Sequence, residues 1–318
     1  MNYRTMIPAV LVAVTIAFHA AAAGAAEVKL TPGATSVQVD VDGKAFTTYH
    51  FLPGDDKHFH RPFAYPVHAA DGQAVTSDQI VTNAKEHPHH RSFYVAHGNV
   101  NGVDHWAHRG ARQRHVGFDR VEGDTIVERL EWEGKTADAP PLLNEARTLR
   151  FFALEDGTRG IDLTVALTAA KEAVTFADTK EAGIVAVRLH PQIATDKGAK
   201  GRLTNSAGAT GEKAVWGKPA KWCDVSGTIG GKAYGVAIFD HPANPRHPTT
   251  WHTRAYGLHA ANAFGLHDFD PKNKPKGAGD LKLEPGRTVT FKYRVLFHQG
   301  DAAAAKLDER YEAWARGQ

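Results

Sequence analysis

One cysteine stands in 318 residues, Cys223, so no disulfide can form within the chain. The fold must rest on an ordinary buried core, which a chain of this length can supply. Cys223 itself reads as a small buried apolar residue rather than a nucleophile. An excess of charge of one sign is also missing: 38 Lys and Arg face 35 Asp and Glu, a formal net charge of +3. No run of Lys and Arg and no aromatic-basic motif occurs, which argues against nucleic acid as a partner. Beyond residue 26 no apolar run approaches the ~20 residues of a membrane span, so no span is expected in the mature chain. There is no nucleophile elbow, no Walker loop and no dinucleotide fingerprint leading a βαβ unit, and the chemistries those motifs serve are set aside.

Residues 1–26 have the pattern of a secretory signal. Arg4 supplies a positive start, "MIPAVLVAVTIAFHAAAAGAA" the apolar segment, and Ala23 and Ala25 a small-x-small cleavage pattern. The expectation is export to the periplasm or beyond, with residues 27–318 forming a single domain.

That domain reads as all-β. "SVQVDVDGKAFTTYHF" alternates Val37, Val39 and Val41 and turns at Asp42-Gly43, a hairpin signal. Further hairpins are expected at Gly123-Asp124, Asp156-Gly157 and Gly230-Gly231, with a buried strand at "GIVAVRLH" and a late strand at "TVTFKYRVLFH". Only "AAAAKLDERYEAWARG" looks helical, with Asp301 as cap and Leu307, Tyr311 and Trp314 on one stripe. Hairpins at regular spacing predict a large antiparallel β-sandwich with a C-terminal helix on its sheet edge.

What the chain has in quantity is histidine, and unevenly. Fourteen of its nineteen histidines lie in two stretches, His58 to His108 and His241 to His267. Both fall largely within long segments that break the strand rhythm, 53–90 and 241–285. Histidine is a poor candidate for idle burial, because its value lies in a near-neutral pKa and in metal ligation. Two loop systems rich in one uncommon residue suggest one shared site at one end of the sheets.

In "HPHHRSFYVAHG" the extended reading puts His87 and His89 on one face and His90 on the other. The strand that follows places Phe93, Val95 and His97 on one side, so His97 is a candidate to join the pair. With Asp104 as a fourth group, His87, His89 and His97 form a possible divalent-metal set, although the spacing matches no established metal signature. Acid-base work by His89, His90 and His97 is the competing expectation. Arg61, Tyr65, Asn99 and Glu181 are candidates to hold substrate. The second stretch, "FDHPANPRHPTTWHTRAYGLHAANAFG", offers Asp240 as an orienting carboxylate, His241 and His252 as bases, Arg246 and Arg254 as substrate clamps, and Trp251 as a ring to stack on a sugar.

Taken together, "RPFAYPV", "HPHHRSFYVAHGNVNGVDHW", "GVAIFDHPANPRHPTTWHTRAYGL" and "AANAFG" resemble the bacterial PmoA-like family, over a span from about Arg61 to His298. The family's name alludes to methane oxygenase. The resemblance implies a carbohydrate-directed setting and a fold similar to galactose-mutarotase-like supersandwiches, and it carries over no catalytic residues. The leading expectation is an exported protein performing acid-base chemistry on a sugar, as lyase, hydrolase or epimerase. A metalloenzyme using the histidine cluster and a non-catalytic glycan-binding module are the alternatives, and the oligomeric state is left open.

Overall fold

The computed structural model describes residues 26–317 except 84, 108–110, 137 and 197; the expected signal segment lies outside the described residues but for Ala26. Two eight-stranded sheets make up most of the molecule, with a two-stranded sheet of Val174–Phe176 and Leu281–Leu283 beside them. The first runs, from edge to edge, through Val28–Pro32, Ser36–Val41, Lys44–His50, Phe63–Val67, Phe93–His97, Ala182–Arg188, Leu258–Asn262 and Thr250–Trp251. The second runs through Arg202–Asn205, Trp222–Ile229, Lys232–Asp240, Thr288–Gln299, Arg159–Ala169, Leu143–Ala153, Thr125–Trp132 and Gln113–Glu122. Neighbouring strands pair antiparallel throughout. The all-β sandwich read from the sequence is the observed fold.

The local chemistry explains the hairpins. Asp42 and Gly43 both take positive φ (51° and 70°), as do Gly230 and Gly231 (57° and 86°), the backbone that a tight two-residue hairpin turn requires. In Thr288–Gln299, Phe291, Tyr293, Val295 and Phe297 are buried while Thr288 and Lys292 face out, the period-two pattern of a strand with one face on the core. The core between the sheets is one continuous cluster that includes Val39, Phe46, Trp132, Phe151, Val165, Val185, Val236 and Phe297. The expected C-terminal helix is present but shorter. Asp301 accepts from the Ala304 N–H in a turn, Lys306 takes φ 51°, and the helix begins only at Leu307, running Leu307–Ala315. A left-handed residue cannot continue a right-handed helix, which divides the segment in two. The two long segments also carry more regular structure than their sequence shows, since Phe63–Val67, Thr250–Trp251 and Leu258–Asn262 add strands to the first sheet. Among the described residues no helix is long and apolar enough to cross a membrane.

One part of the sandwich interior is ionic. Arg147, 1% exposed, bonds Glu145 (Nε to Oε1, 2.6 Å), Gln113 (3.0 Å) and the hydroxyl of Tyr49 (3.2 Å). Glu145 also accepts from Trp132 Nε1 at 2.6 Å, and Glu128 bonds both Tyr49 and His115. Tyr49 belongs to the first sheet and the other members to the second, so the network ties the two sheets by directional bonds, as Arg159 on the Ala45 carbonyl and His259 on the Cys223 carbonyl do elsewhere. Removing its cation leaves the buried Glu145 carboxylate with Trp132 alone, a loss on the order of 3–5 kcal/mol. Arg147→Met is therefore expected to lower the unfolding free energy in urea by about that amount. A loss under about 1 kcal/mol would show that the network contributes little beyond its own desolvation cost.

Candidate active site

The outer face of the first sheet, turned away from the main core, carries a second and smaller cluster: Phe59, Phe63, Tyr94, Ala96, Trp106, Ala186, Leu258 and Ala260. Strand register explains it. Phe63 pairs with Tyr94, Tyr94 with Ala186, Ala186 with Ala260, and the His252 N–H donates to the Ala260 carbonyl at 2.9 Å. One row across the face thus reads Phe63, Tyr94, Ala186, Ala260, His252. The two alanines leave a shallow trough between larger side chains, and Trp106 lies in it. Its ring is 5.6 Å from Tyr94, 5.8 Å from His90, 6.2 Å from His89 and 6.2 Å from His252. The next row reads Ser92, Arg188, Leu258, Arg254, because Arg188 donates its N–H to Ser92 and Arg254 to Leu258.

Both histidine-bearing segments therefore meet on this face. From the first come His87, His89 and His90, which each bring one ring nitrogen within 4.8 Å of the others. From the second come His252, Arg254 and Tyr256. The His87 ring stacks on His90 at 4.9 Å and on Tyr256 at 4.7 Å, closing the two segments against each other. The guanidiniums of Arg188 and Arg254 both lie over the Tyr256 ring, at 5.1 Å and 5.4 Å. Arg254 is also held by Glu212 at 2.8 Å. His87 is exposed, His89 and Tyr256 are half-buried, and His90, Tyr94, Trp106 and His252 are buried beneath them. A groove of about 810 Å³, lined by Gln79, Asn83, Glu86, Gln192, Asp196 and Lys200 among others, opens beside the histidines and shares Arg188 and Tyr256 with them.

Buried polar atoms here without a hydrogen-bond partner among the described residues include Arg61 Nε, Tyr94 Oη, Trp106 Nε1 and His252 Nδ1. Unpaired polar groups in a core cost free energy; others occur elsewhere, as at His97 and Asp224, but those beside the groove are placed to meet a ligand. Burial depresses the imidazoles: His90 falls well below the usual histidine value, His252 to about 3, and His87 also drops. Burial raises the phenols, Tyr256 to about 12 and Tyr94 further. At neutral pH the site thus holds neutral imidazoles that can accept a proton beside phenols that keep theirs.

Arg61 is buried in the same cluster but takes a different part from the one its sequence suggests. Its guanidinium donates to the carbonyls of His105 (2.7 Å), His89 (2.7 Å) and Trp106 (2.9 Å), and it lies 4.7 Å over Tyr94. It clamps the histidine turn to the Trp106 loop and offers no edge to a substrate. Other expected site residues also serve structure. His97 shares the core-facing side of its strand with Phe93 and Val95, packed on Phe176 and Phe264, so alternation that places it correctly also removes it from the histidine cluster. Asp104 caps its own loop through the Trp106 and Ala107 N–H groups, and Asn99 accepts from Gly102. The expected metal set of His87, His89, His97 and Asp104 is therefore not assembled; His90 stands where His97 was expected. Tyr65 packs half-buried at the cluster's edge. Glu181 pairs with Lys180 at 2.8 Å and acts on His87 and Tyr256 through its field.

In the second segment, Asp240 turns to His247 (2.7 Å), Thr249 N (2.9 Å) and Asn244 (2.8 Å) rather than orienting His241 or His252. Burial pushes its carboxyl above the ordinary value. Tyr311 of the C-terminal helix bonds the Asp240 carbonyl, and His241 packs edge-on to Trp314, so this group anchors the helix. Trp251 is fully buried with Nε1 on the Ala220 carbonyl, and Arg246 holds the carbonyls of Ala263, Gly279 and Asp280. Neither can reach a ligand on the outer face. The residues missed from sequence are Tyr94, Trp106, Arg188, Glu212 and Tyr256. A charged residue closing the buried run "GIVAVR" was the available signal for Arg188.

Four buried histidines make the fold acid-sensitive. Burial holds His97, His252 and His259 near 3 and His105 near 4. In the unfolded chain they protonate near 6.5, so between these values the unfolded state binds more protons and stability falls as pH falls. Each group withdraws about 1.4 kcal/mol per pH unit below 6.5. Urea unfolding at pH 7, 6 and 5 should show this decline, and His97→Gln should flatten it by about one proton's share. A free energy unchanged from pH 7 to 5 would refute the burial of these rings.

No curated protein matches the chain. Among solved structures, a polysaccharide lyase matches at 14% identity and a TM-score of 0.32, covering 88% of this chain and 34% of its own. A GalM/aldose epimerase homologue from C. elegans matches at 9% identity and a TM-score of 0.34, covering 87% of this chain and 99% of its own. The chain thus spans about a third of the lyase's length, and at these TM-scores neither likeness bears on activity. The resemblance to a PmoA-like family is overturned, since the family model that matches has no such description and nothing else indicates that family. The match is to DUF6807, a family of unknown function, over residues 36–312, and the chain belongs to that family.

Proposed function

We propose that this protein performs acid-base chemistry on a carbohydrate bound on the outer face of the first sheet. The observation that carries the reading is the meeting of the two histidine-bearing segments around Trp106, with neutral imidazoles and protonated phenols side by side. Sugar stereochemistry suits such a place. The exposed His87 and half-buried Tyr256 border the adjoining groove, which supplies amides and charged groups for hydroxyls. His87 and His89 are the accessible imidazoles and are assigned proton transfer; His90 and His252 lie beneath and position them. Export through residues 1–26 would bring the protein to extracellular glycans.

Turnover of a panel of polysaccharides and oligosaccharides, followed by reducing ends and by the ultraviolet absorbance of unsaturated products, tests this. An active glycan is expected, with His87→Ala and His89→Ala each lowering kcat/KM by about 10²-fold or more. No turnover of any glycan, with binding unaffected by either substitution, would sink the catalytic reading.

A second reading, a metal-dependent enzyme, draws on the convergence of His87, His89 and His90. A bound divalent ion would supply Lewis acidity toward a sugar oxygen. The geometry fits it only in part. Arg188 Nη1 lies 3.3 Å from His90 Nδ1, and a guanidinium can only donate, so the neutral His90 ring carries its proton on Nε2. An ion there would rest on His87 and His89 beside a fixed cation. Elemental analysis of protein purified without a histidine tag is expected to find well under one metal per chain. A stoichiometry near one, lost in His89→Ala, would favour the metal reading instead.

A further inference from the structure

The cation at the junction of the groove and the histidine cluster differs from the other buried arginines. Arg91 is paired with Asp56 and Asp78, and Arg147 with Glu145. Arg61 is spent on three carbonyls, and Arg159 on those of Ala45 and His68. Arg188 is 6% exposed, and among the described residues it forms no ion pair with a carboxylate. Its neighbours are neutral acceptors. His90 Nδ1 takes Nη1 at 3.3 Å, and Gln79, with its amide oriented to satisfy its surroundings, takes Nε at 3.3 Å. These bonds fix the guanidinium in place without compensating its charge. Glu86 and Asp196 line the same groove and act on Arg188 only through their field.

A buried cation held by neutral groups, with an edge on an open groove, is a prepared receptor for an anion. Its surroundings extend that function. Because Arg188 donates to His90 Nδ1, the opposite ring nitrogen of His90 is a donor as well. Arg254 lies in the same row, two strands away, and shares the Tyr256 ring, but Glu212 answers its charge at 2.8 Å, so Arg188 is the uncompensated cation of the two. The planar fork of an arginine matches the two oxygens of a carboxylate better than a single hydroxyl.

We propose that Arg188 receives the carboxylate of an acidic sugar, so that the substrate of this site is a uronic-acid-containing saccharide. The proposal rests on the carbohydrate reading above and adds the substrate class. A carboxylate seated on Arg188 would lie beside Tyr256 and the accessible proton acceptor His87. That places the acidic carbon skeleton, rather than a neutral ring, where proton transfer is available.

Thermal denaturation and calorimetric titration of the whole mature chain test this. The probes are D-glucuronate, D-galacturonate and their short oligomers, set against the matching neutral hexoses and methyl-esterified oligomers, with acetate and sulfate as plain anions. At least one uronate probe should raise the melting temperature and bind, and esterification should weaken it about 10²-fold or more, the cost of leaving a buried charge unanswered. Arg188→Gln should bring the acid form down to the ester's affinity, and Arg188→Lys should fall between, with near-ultraviolet circular dichroism confirming that both variants fold. Neutral sugars binding as well as uronates, or uronate binding unchanged in folded Arg188→Gln, overturns the acidic assignment and leaves the carbohydrate reading standing. Acetate or sulfate matching the uronates, or no response to any saccharide, overturns both.

Discussion

The site depends on the buried guanidinium of Arg61. Three backbone carbonyls from two separate stretches, His89 on one side and His105 and Trp106 on the other, converge on one rigid fork. Burial pulls this arginine down to about 10, so it stays charged at neutral pH. The carbonyls that bind it would otherwise be buried acceptors in need of donors. One side chain thus satisfies loop backbone and fixes the distance between the histidine turn and Trp106. The stacking of His87 on Tyr256 and the seating of His90 beside Trp106 follow from that distance.

Small residues make the arrangement possible from below. A sheet face ordinarily presents large side chains at every second position. Here Ala186 and Ala260 interrupt a row that begins with Phe63 and Tyr94, and the gap admits a tryptophan ring from the covering loop. The same substitution of small for large brings His252 within ring contact of a loop it would otherwise not meet. Electrostatics follow from this packing. Rings pressed into an apolar trough lose solvent, which lowers the imidazoles and raises the phenols together. The trough therefore creates both the shape of the site and its protonation state.

The two halves of the molecule use charge differently. Between the sheets, Glu128, Glu145 and Arg147 are answered by one another and by Tyr49 and Gln113, and the network serves cohesion. On the outer face, Arg188 is held but not neutralised, and Tyr94, Trp106 and His252 keep polar atoms unpaired. Unpaired atoms occur in the main core too, as at His97 and Asp224; beside the groove they stand next to a cation without a carboxylate partner among the described residues.

Sequence alone determined the architecture, because hairpin turns and alternation are local. Asp42-Gly43 and Gly230-Gly231 need only their own backbone preferences, and Thr288–Gln299 needs only a period of two. It also determined that two distant segments were unusual, since composition needs no coordinates. What it left open was which face each residue joins. Alternation put His97 beside Phe93 and Val95 but could not say that this side was the core. The density of polar residues around Asp240, His241, Arg246 and Trp251 could not show that they anchor a helix and a loop. Tertiary structure decided those questions through strand register and burial, which couple residues far apart in sequence. Arg188 became a candidate receptor only when Ser92, Leu258 and Arg254 were aligned in its row, because the absence of a counter-charge is a property of neighbours in space.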